Sequence, residues 1–400
     1  MPTTEVRVGL IRKISNSARD YAWGSDNLIP DYFGTEATGK PMAEIWFGTH
    51  EGSPTTVLAA DGGPAGTLLQ LRDGKPLPFL LKILAAGQPL SIQAHPNKEQ
   101  AVEGFARENA AGISMDDPAR DYKDDHHKPE MIVALTPFRA LIGFRPNMDA
   151  VVALQRLAMQ AQALDFQALE ATLAESIQAL RVGGPEELIQ SLLAKRGELA
   201  EVTAQLAELA TLSRSVDNIE SANLALVPQL QQLYPGDPGI LITQLMNLVE
   251  LAPNQAAELP AGCIHAYVSG LGVEIMANSD NVLRGGLTPK RINTEELLRV
   301  LDFKASFDPA MESKQLVSGL YQYPSVASDY LLYRIEVSGS TLLADLELPN
   351  PGIVLCTAGE IAVGDSKEER QVLRKGEAAY LADARFYSFS GSGTAFLATN

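Results

Sequence analysis

The chain has 400 residues, 46% of them hydrophobic, which suffices for a sizeable core and, at ordinary domain sizes, for two or three domains. Its 49 acidic against 32 basic residues give a formal charge of -17, which argues against nucleic acid as a partner, since a phosphate backbone needs a basic surface. The two cysteines, Cys263 and Cys356, give no disulfide framework, and no apolar stretch has the length of a signal-peptide core or a bilayer span, so a cytoplasmic protein without membrane contact is expected.

Residues 1–147 read as short strands between turns. Residues 44–49 and 79–84 are compact apolar or aromatic runs, Leu90–His95 alternates up to Pro96, and Met131–Leu135 is ended by Thr136-Pro137. Short strands bounded by Gly, Pro and Asn predict a sandwich or barrel. Residues 148–250 are rich in Ala, Leu, Gln and Glu. Leu169, Leu173, Ile177 and Leu180 recur at helical spacing, and Gly183-Gly184-Pro185 breaks that helix, with Pro185 suited to the first turn of the next. This region is expected to be an all-helical insertion. Strands resume near 255, and residues 293–303 predict one short helix capped by Asn293 or Thr294. Residues 316–400 read as a second β-domain, with Gly359, Gly364 and Gly376 marking turns. The fold class is therefore mainly β with a helical insertion.

The chain holds only five histidines, at 50, 95, 126, 127 and 265. In a strand, residues i and i+2 share a face, so Gln93 and His95 look the same way. Glu130 opens the next apolar strand, and His265 follows a Pro-x-Gly turn. Separately, a Gln-x-His pair, a Glu after Pro and a lone His each have bland explanations, as a surface pair, a solvated carboxylate and a core imidazole. Together, beside strand or turn breaks, they predict a divalent-metal site with an open position. Zinc is the first choice, ahead of Mn, Fe or Co. One carboxylate, two imidazoles and an amide suit polarisation of a substrate oxygen rather than redox chemistry.

A cationic group accompanies this site. Glu274 stands between Val273 and Ile275, where it is either an acid/base carboxylate or a solvent-face strand residue. Arg284 precedes two glycines, and Lys290 and Arg291 add charge. Lys82 within an apolar strand needs a partner, and Lys128 lies two residues from Glu130. Several cations around one metal imply an anionic substrate, most simply a phosphate ester.

The segments Tyr21–Ser25, AEIWFGTH (43–50), LPFLLKILAAGQPLSIQAHP (77–96), YKDDHHKPEM (122–131) and HAYVSGLGVEIMANSDNVLRGGLTPK (265–290) resemble the type I phosphomannose isomerase family of the cupin superfamily. The resemblance implies two cupin-type jelly-roll β-domains plus an all-helical domain: a catalytic domain of residues 1–147 and 251–315, a helical domain of 148–250, and a C-terminal jelly roll of 316–400. It implies one zinc per chain on Gln93, His95, Glu130 and His265, with Arg284 as the catalytic arginine. Ser91, Lys82 and Lys128 would surround the substrate, Ser91 at its phosphate, and Glu274, Tyr267, Asp280 and Lys290 would line the same pocket. His127 falls in the His-Lys-Pro-Glu string, where proton transfer has been considered. His126, Cys263 and Ile264 depart from the family pattern, which touches fine geometry more than the reaction. No histidine follows His265, so the C-terminal β-domain holds no imidazole-ligated metal of its own.

The implied reaction interconverts mannose 6-phosphate and fructose 6-phosphate through an enediolate, by proton transfer between C1 and C2. Glu274, His127 and Lys128 all stand as candidates for the proton carrier. The partner is a small sugar phosphate, and a monomer is expected. An iron-dependent cupin oxygenase and a non-catalytic sugar-phosphate-binding protein are the alternative readings; the second would have lost metal or base, whereas Gln93, His95, Glu130, His265 and Arg284 are all present.

Overall fold

The 13-residue strand His265–Ala277 organises the part of the molecule that carries the histidines. Its first residues pair antiparallel with Ile92–Ala94 and Phe138–Phe144, and its remainder pairs with Phe79–Ala86 and Glu130–Ala134. One strand thus serves two sheet segments, and the pairing shifts register between Tyr267 and Ser269. Gly270 follows the shift with φ of 122°, and a Cβ there would lie 2.7 Å from the Phe138 ring and 2.8 Å from the Pro137 carbonyl. Only glycine meets both demands at that corner.

This computed structural model describes residues 11–213, 219–304, 309–339, 342–365, 369–382 and 385–400. Residues 1–10, on which part of the reading of a leaderless N-terminus falls, lie outside the described residues. The described chain is mostly β with helices between, in sheets of 11 and 10 strands. The smaller sheet holds the site. The larger one contains the C-terminal strands, and the segments Ile11–Ser15, Thr56–Leu58 and Pro64–Thr67 join it, Ile11 facing Leu381 and Ile14 facing Ala378.

The larger sheet explains why the site strands are apolar almost throughout. Phe79, Leu81, Ile83, Met131, Val133, Val273 and Ile275 pack in one cluster with Tyr323, Leu332, Ile353, Leu355 and Phe396 of the C-terminal region. The alternate residues Leu84, Ile132 and Ala134 face a different cluster on the inner side. Strand parity therefore sends Lys82, Glu130 and Glu274 inward, away from the shared core. A strand covered on both faces cannot show an apolar/polar alternation, so Phe79–Ala86 is buried at all eight positions.

Helices Asn147–Ala163, Gln167–Ala194 and Ala200–Leu212, followed by shorter ones, occupy most of the expected helical stretch, but its end is β: Met246–Leu251 is a strand paired antiparallel with Phe138–Phe144, so strands resume earlier than the expected 255. The second is broken at Gly184, whose φ of 71° is non-helical, immediately before Pro185. Asn293 caps Thr294–Val300 by accepting the Glu296 amide proton. The turn expected at Gly359 is absent. Gly352–Asp365 is one strand, with an irregularity between Cys356 and Ala358 and a positive φ of 65° at Gly359, so the glycine serves a bulge rather than a strand end.

Gly270→Ala is expected to destabilise the protein by more than about 2 kcal/mol, through clash and backbone strain together. Gly34→Ala shares the positive φ but meets nothing within 4 Å, and should cost about 1 kcal/mol. Urea denaturation of the two variants checks the difference; equal losses would remove the corner from the account.

Candidate functional site

His95, Glu130 and His265 converge. His95 follows the strand Ile92–Ala94, Glu130 begins its own strand, and His265 opens the long one, directly opposite Gln93. The Nε2 atoms of His95 and His265 each lie 3.4 Å from a Glu130 carboxylate oxygen, and the imidazole centres are 5.0 Å apart. All three residues are buried, and their ligating atoms lie within 4.8 Å of one another.

The hydrogen bonds behind the imidazoles decide what those atoms are. His95 Nδ1–H donates to the Asn281 carbonyl at 2.7 Å, and His265 Nδ1–H donates to the Cys263 carbonyl at 3.0 Å. In the neutral ring this leaves Nε2 as a lone pair. Both Nε2 atoms and Glu130 Oε2 are buried without a hydrogen-bond partner. Protonating His95 does not relieve the contact, because burial, and then the Lys128 cation, push its pKa down to about 4. Burial alone would raise the Glu130 carboxyl, but Lys128 and His95 outweigh it and hold it well below the usual range. Two lone pairs and a carboxylate aimed at one point fit a divalent cation.

Gln93 opens onto a cavity of about 480 Å³ beside these donors. Lys82, Ser91, Lys128, Glu130, Tyr267, Glu274, Arg284 and Lys290 line it as well. Ser91 precedes Gln93 by two residues, and Arg284 is the cross-strand neighbour of Gln93. Two expected residues stand elsewhere. Asp280 is half exposed, with its carboxylate 3.2 Å from His50 Nε2. His127 Nε2 is 2.8 Å from the Asp329 carboxylate, outside the cavity lining.

The cavity wall is a charge network. Lys82 Nζ lies 2.9 Å from Glu274 and 3.4 Å from Glu44, and Lys128 lies 2.8 Å from Glu130. Tyr267 donates its hydroxyl to Glu274 at 2.8 Å. Burial would lower the Lys82 ammonium, but Glu274, Glu44 and Glu130 outweigh it and raise its pKa. Burial raises Glu274; Lys82 opposes this, while Glu130 and Glu44 add to it. The solvent-face alternative for Glu274 is thereby excluded, since only 2% of it is exposed. Arg284 and Lys290 have no salt bridge among the described residues. Burial lowers the Arg284 pKa, and the Arg284 charge, followed by burial, lowers that of Lys290.

Sequence reasoning did not single out Glu44, Tyr234 or Thr288, which also line the cavity. Glu44 was detectable as a carboxylate inside the apolar run 43–47. Tyr234 and Thr288 carry no local signal.

Residues 11–147 match the family model for the phosphomannose isomerase type I catalytic domain. The chain is 35% identical over 400 residues to a mannose-6-phosphate isomerase of Salmonella typhimurium, covering 96% of this chain and 98% of that one. It is 31% identical over 393 residues to the one from Homo sapiens, covering 87% of each. A zinc-bound mannose 6-phosphate isomerase superposes with a TM-score of 0.85 at 33% identity, over 98% of this chain and 100% of that chain. The Salmonella typhimurium enzyme with bound fructose 6-phosphate and zinc superposes equally well over the same shares.

His265→Ala and Glu130→Ala should each purify with far less than one divalent ion per chain by elemental analysis; full occupancy in either would break the donor assignment. A pH effect follows from His95. The unfolded imidazole titrates near 6.5, the folded one at about 4, so the unfolded state binds more protons between those values. The contribution is fully present above pH 6.5 and is lost as pH falls toward 4. Denaturation of metal-free protein should show this loss, with a shallower slope in His95→Asn; identical slopes would refute it.

Proposed function

This chain belongs to the type I phosphomannose isomerase family, and from that premise we propose how its own residues perform the reaction. The protein is a mannose-6-phosphate isomerase that interconverts mannose 6-phosphate and fructose 6-phosphate with zinc. His95, Glu130 and His265 hold the zinc ion, with Gln93 as the fourth ligand, at one side of the cavity. When bound there, zinc supplies Lewis-acid polarisation of a sugar oxygen.

The chain's residues supply the rest. Glu274 carries the proton between C1 and C2. Its support is burial, a raised pKa, a place in the cavity lining, and fixed contacts to Lys82 and Tyr267. Of the other two candidates, Lys128 is paired with Glu130, and His127 with Asp329 outside the lining. Tyr267 and Lys82 orient the Glu274 carboxylate, so its proton-bearing oxygen needs no rearrangement during transfer. Arg284, beside Gln93 and in no salt bridge among the described residues, faces the negative charge that develops on the enediolate. Ser91 and Lys290 hold the phosphate, so that remote binding energy fixes the reacting carbons. Asp280, tied to His50, is given no part in the reaction.

The two β regions are read as jelly rolls of the cupin type, with 1–147 and 251–315 catalytic, 148–250 helical and 316–400 without metal. The protein is also read as a cytoplasmic monomer, the two buried free cysteines supporting a reducing compartment.

The observation that carries the mechanism is Glu274, turned inward on the same sheet face as Glu130. Glu274→Gln should keep its zinc, lose about 10²–10⁴ in kcat, and stop exchanging the substrate C2 hydrogen with deuterated solvent. Arg284→Ala should keep zinc and lose most turnover. Near-normal exchange in Glu274→Gln would transfer the base role to another residue.

A further inference from the structure

Three side chains from the helical region reach the backbone that presents the phosphate-binding groups. Asp237 is buried, and its Oδ1 accepts the amide protons of Leu287 at 2.8 Å and Gly239 at 2.7 Å, while Oδ2 accepts that of Thr288 at 3.2 Å. Arg196 donates to the next carbonyls of the same loop, Thr288 O at 2.7 Å and Lys290 O at 3.1 Å. An anion thus holds the loop's N–H groups and a cation its C=O groups, each by charge-assisted hydrogen bonds. Leu287, between them, has φ of 51°, a left-handed conformation unusual for a non-glycine residue. Such a backbone persists only where its surroundings over-determine it. On the facing side, Tyr234 donates its hydroxyl to the Pro89 carbonyl at 3.1 Å, two residues before Ser91, and its side chain lines the cavity.

We propose that Arg196 and Asp237 are positioning residues for the isomerase, clamping the Leu287–Lys290 loop so that Lys290 is aimed at the substrate phosphate. Neither residue lines the substrate cavity, so each acts through the loop. The function of the helical region in catalysis is then to set the phosphate end of the site, while the β-sheets set the metal and base end. This inference rests on the reading of Lys290 as a phosphate contact.

Arg196 is exposed, so Arg196→Met should fold with unchanged melting temperature and zinc content. It should raise KM for mannose 6-phosphate, and Ki for inorganic phosphate as a competitive inhibitor, about three- to tenfold, with kcat within about twofold. Arg196→Lys, which retains a donor, should recover part of the loss. Asp237→Asn should move KM and Ki in the same direction, with some loss of melting temperature. The control is Lys290→Met, alone and combined with Arg196→Met. The proposal requires that Lys290→Met raise KM by itself and that Arg196→Met add little to it. If Lys290→Met raises KM while Arg196→Met leaves it unchanged, or if the two effects simply add, the clamp is wrong and the phosphate reading stands. If Lys290→Met leaves KM unchanged, the phosphate reading fails and takes the clamp with it.

Discussion

Two imidazole lone pairs and a carboxylate pressed together inside a protein repel one another, and the arrangement of His95, Glu130 and His265 exists because something positive belongs between them. Each buried polar group left without a partner costs about 1–3 kcal/mol, and a structural-grade metal site returns about 10 kcal/mol or more. The surrounding chain is built to maintain the repulsion rather than relieve it. Asn281 and Cys263 carbonyls fix the ring tautomers, and the Asn281 side chain is itself held by Lys123 N–H and by the carbonyls of Asp124 and His126. The Gly262 amide donates to the His95 carbonyl at 2.8 Å, tying two donor segments distant in sequence. The rings cannot turn away to find water.

From that fixed point the cavity acquires a direction. Three carboxylates, at Glu44, Glu130 and Glu274, share two lysines on the inner sheet face. Burial, and then the charges of Glu130 and Glu44, favour a proton on Glu274 against the opposing cations of Lys82 and Lys128. Across the cavity, Arg284 and Lys290 repel each other, and neither forms a salt bridge among the described residues, although the more distant Asp121 carboxylate acts on Arg284. A sugar phosphate has the complementary polarity, with a reacting C1–C2 pair at one end and a dianion at the other. Reversing it would place a phosphate against Glu274 and leave the two cations uncompensated.

The sequence made His95 and Glu130 legible because their geometry is local. His95 closes an alternating strand on the same face as Gln93, and a carboxylate at the start of an apolar strand stands out. Glu274 stayed ambiguous for a physical reason. Its neighbours Val273 and Ile275 are buried against residues of the C-terminal region, including Tyr323 and Phe396, which no local window contains. The partner that Lys82 required was equally invisible, since the Glu44–Lys82–Glu274 alignment depends on the register of three strands. The same limit hid the pairing of Ile11–Ser15 with Ala378–Leu381, more than 360 residues away in sequence. Gly359 misled for the converse reason, because positive φ marks a bulge as readily as a turn.

The helical region was read as an insertion of unknown use because its composition carries no chemistry. Its contribution is to backbone atoms, through Asp237, Arg196 and Tyr234, and hydrogen bonds to main chain leave no pattern in the residues they position. The Leu287–Lys290 loop has one internal tie, the Lys290 amide donating to Thr288 Oγ1 at 3.2 Å, which does not reach the left-handed Leu287. The restraint has to come from an element anchored elsewhere. The helical region supplies it from a core in which Leu169, Leu173, Leu206 and Leu230 are fully buried and which runs on into Ile92, Ile264, Leu283 and Leu287 of the site strands and loop. The same core braces the loop and the strands that carry His95 and His265, while the polar ends of Asp237 and Arg196 act on the loop backbone and leave the buried charges around Glu130 untouched.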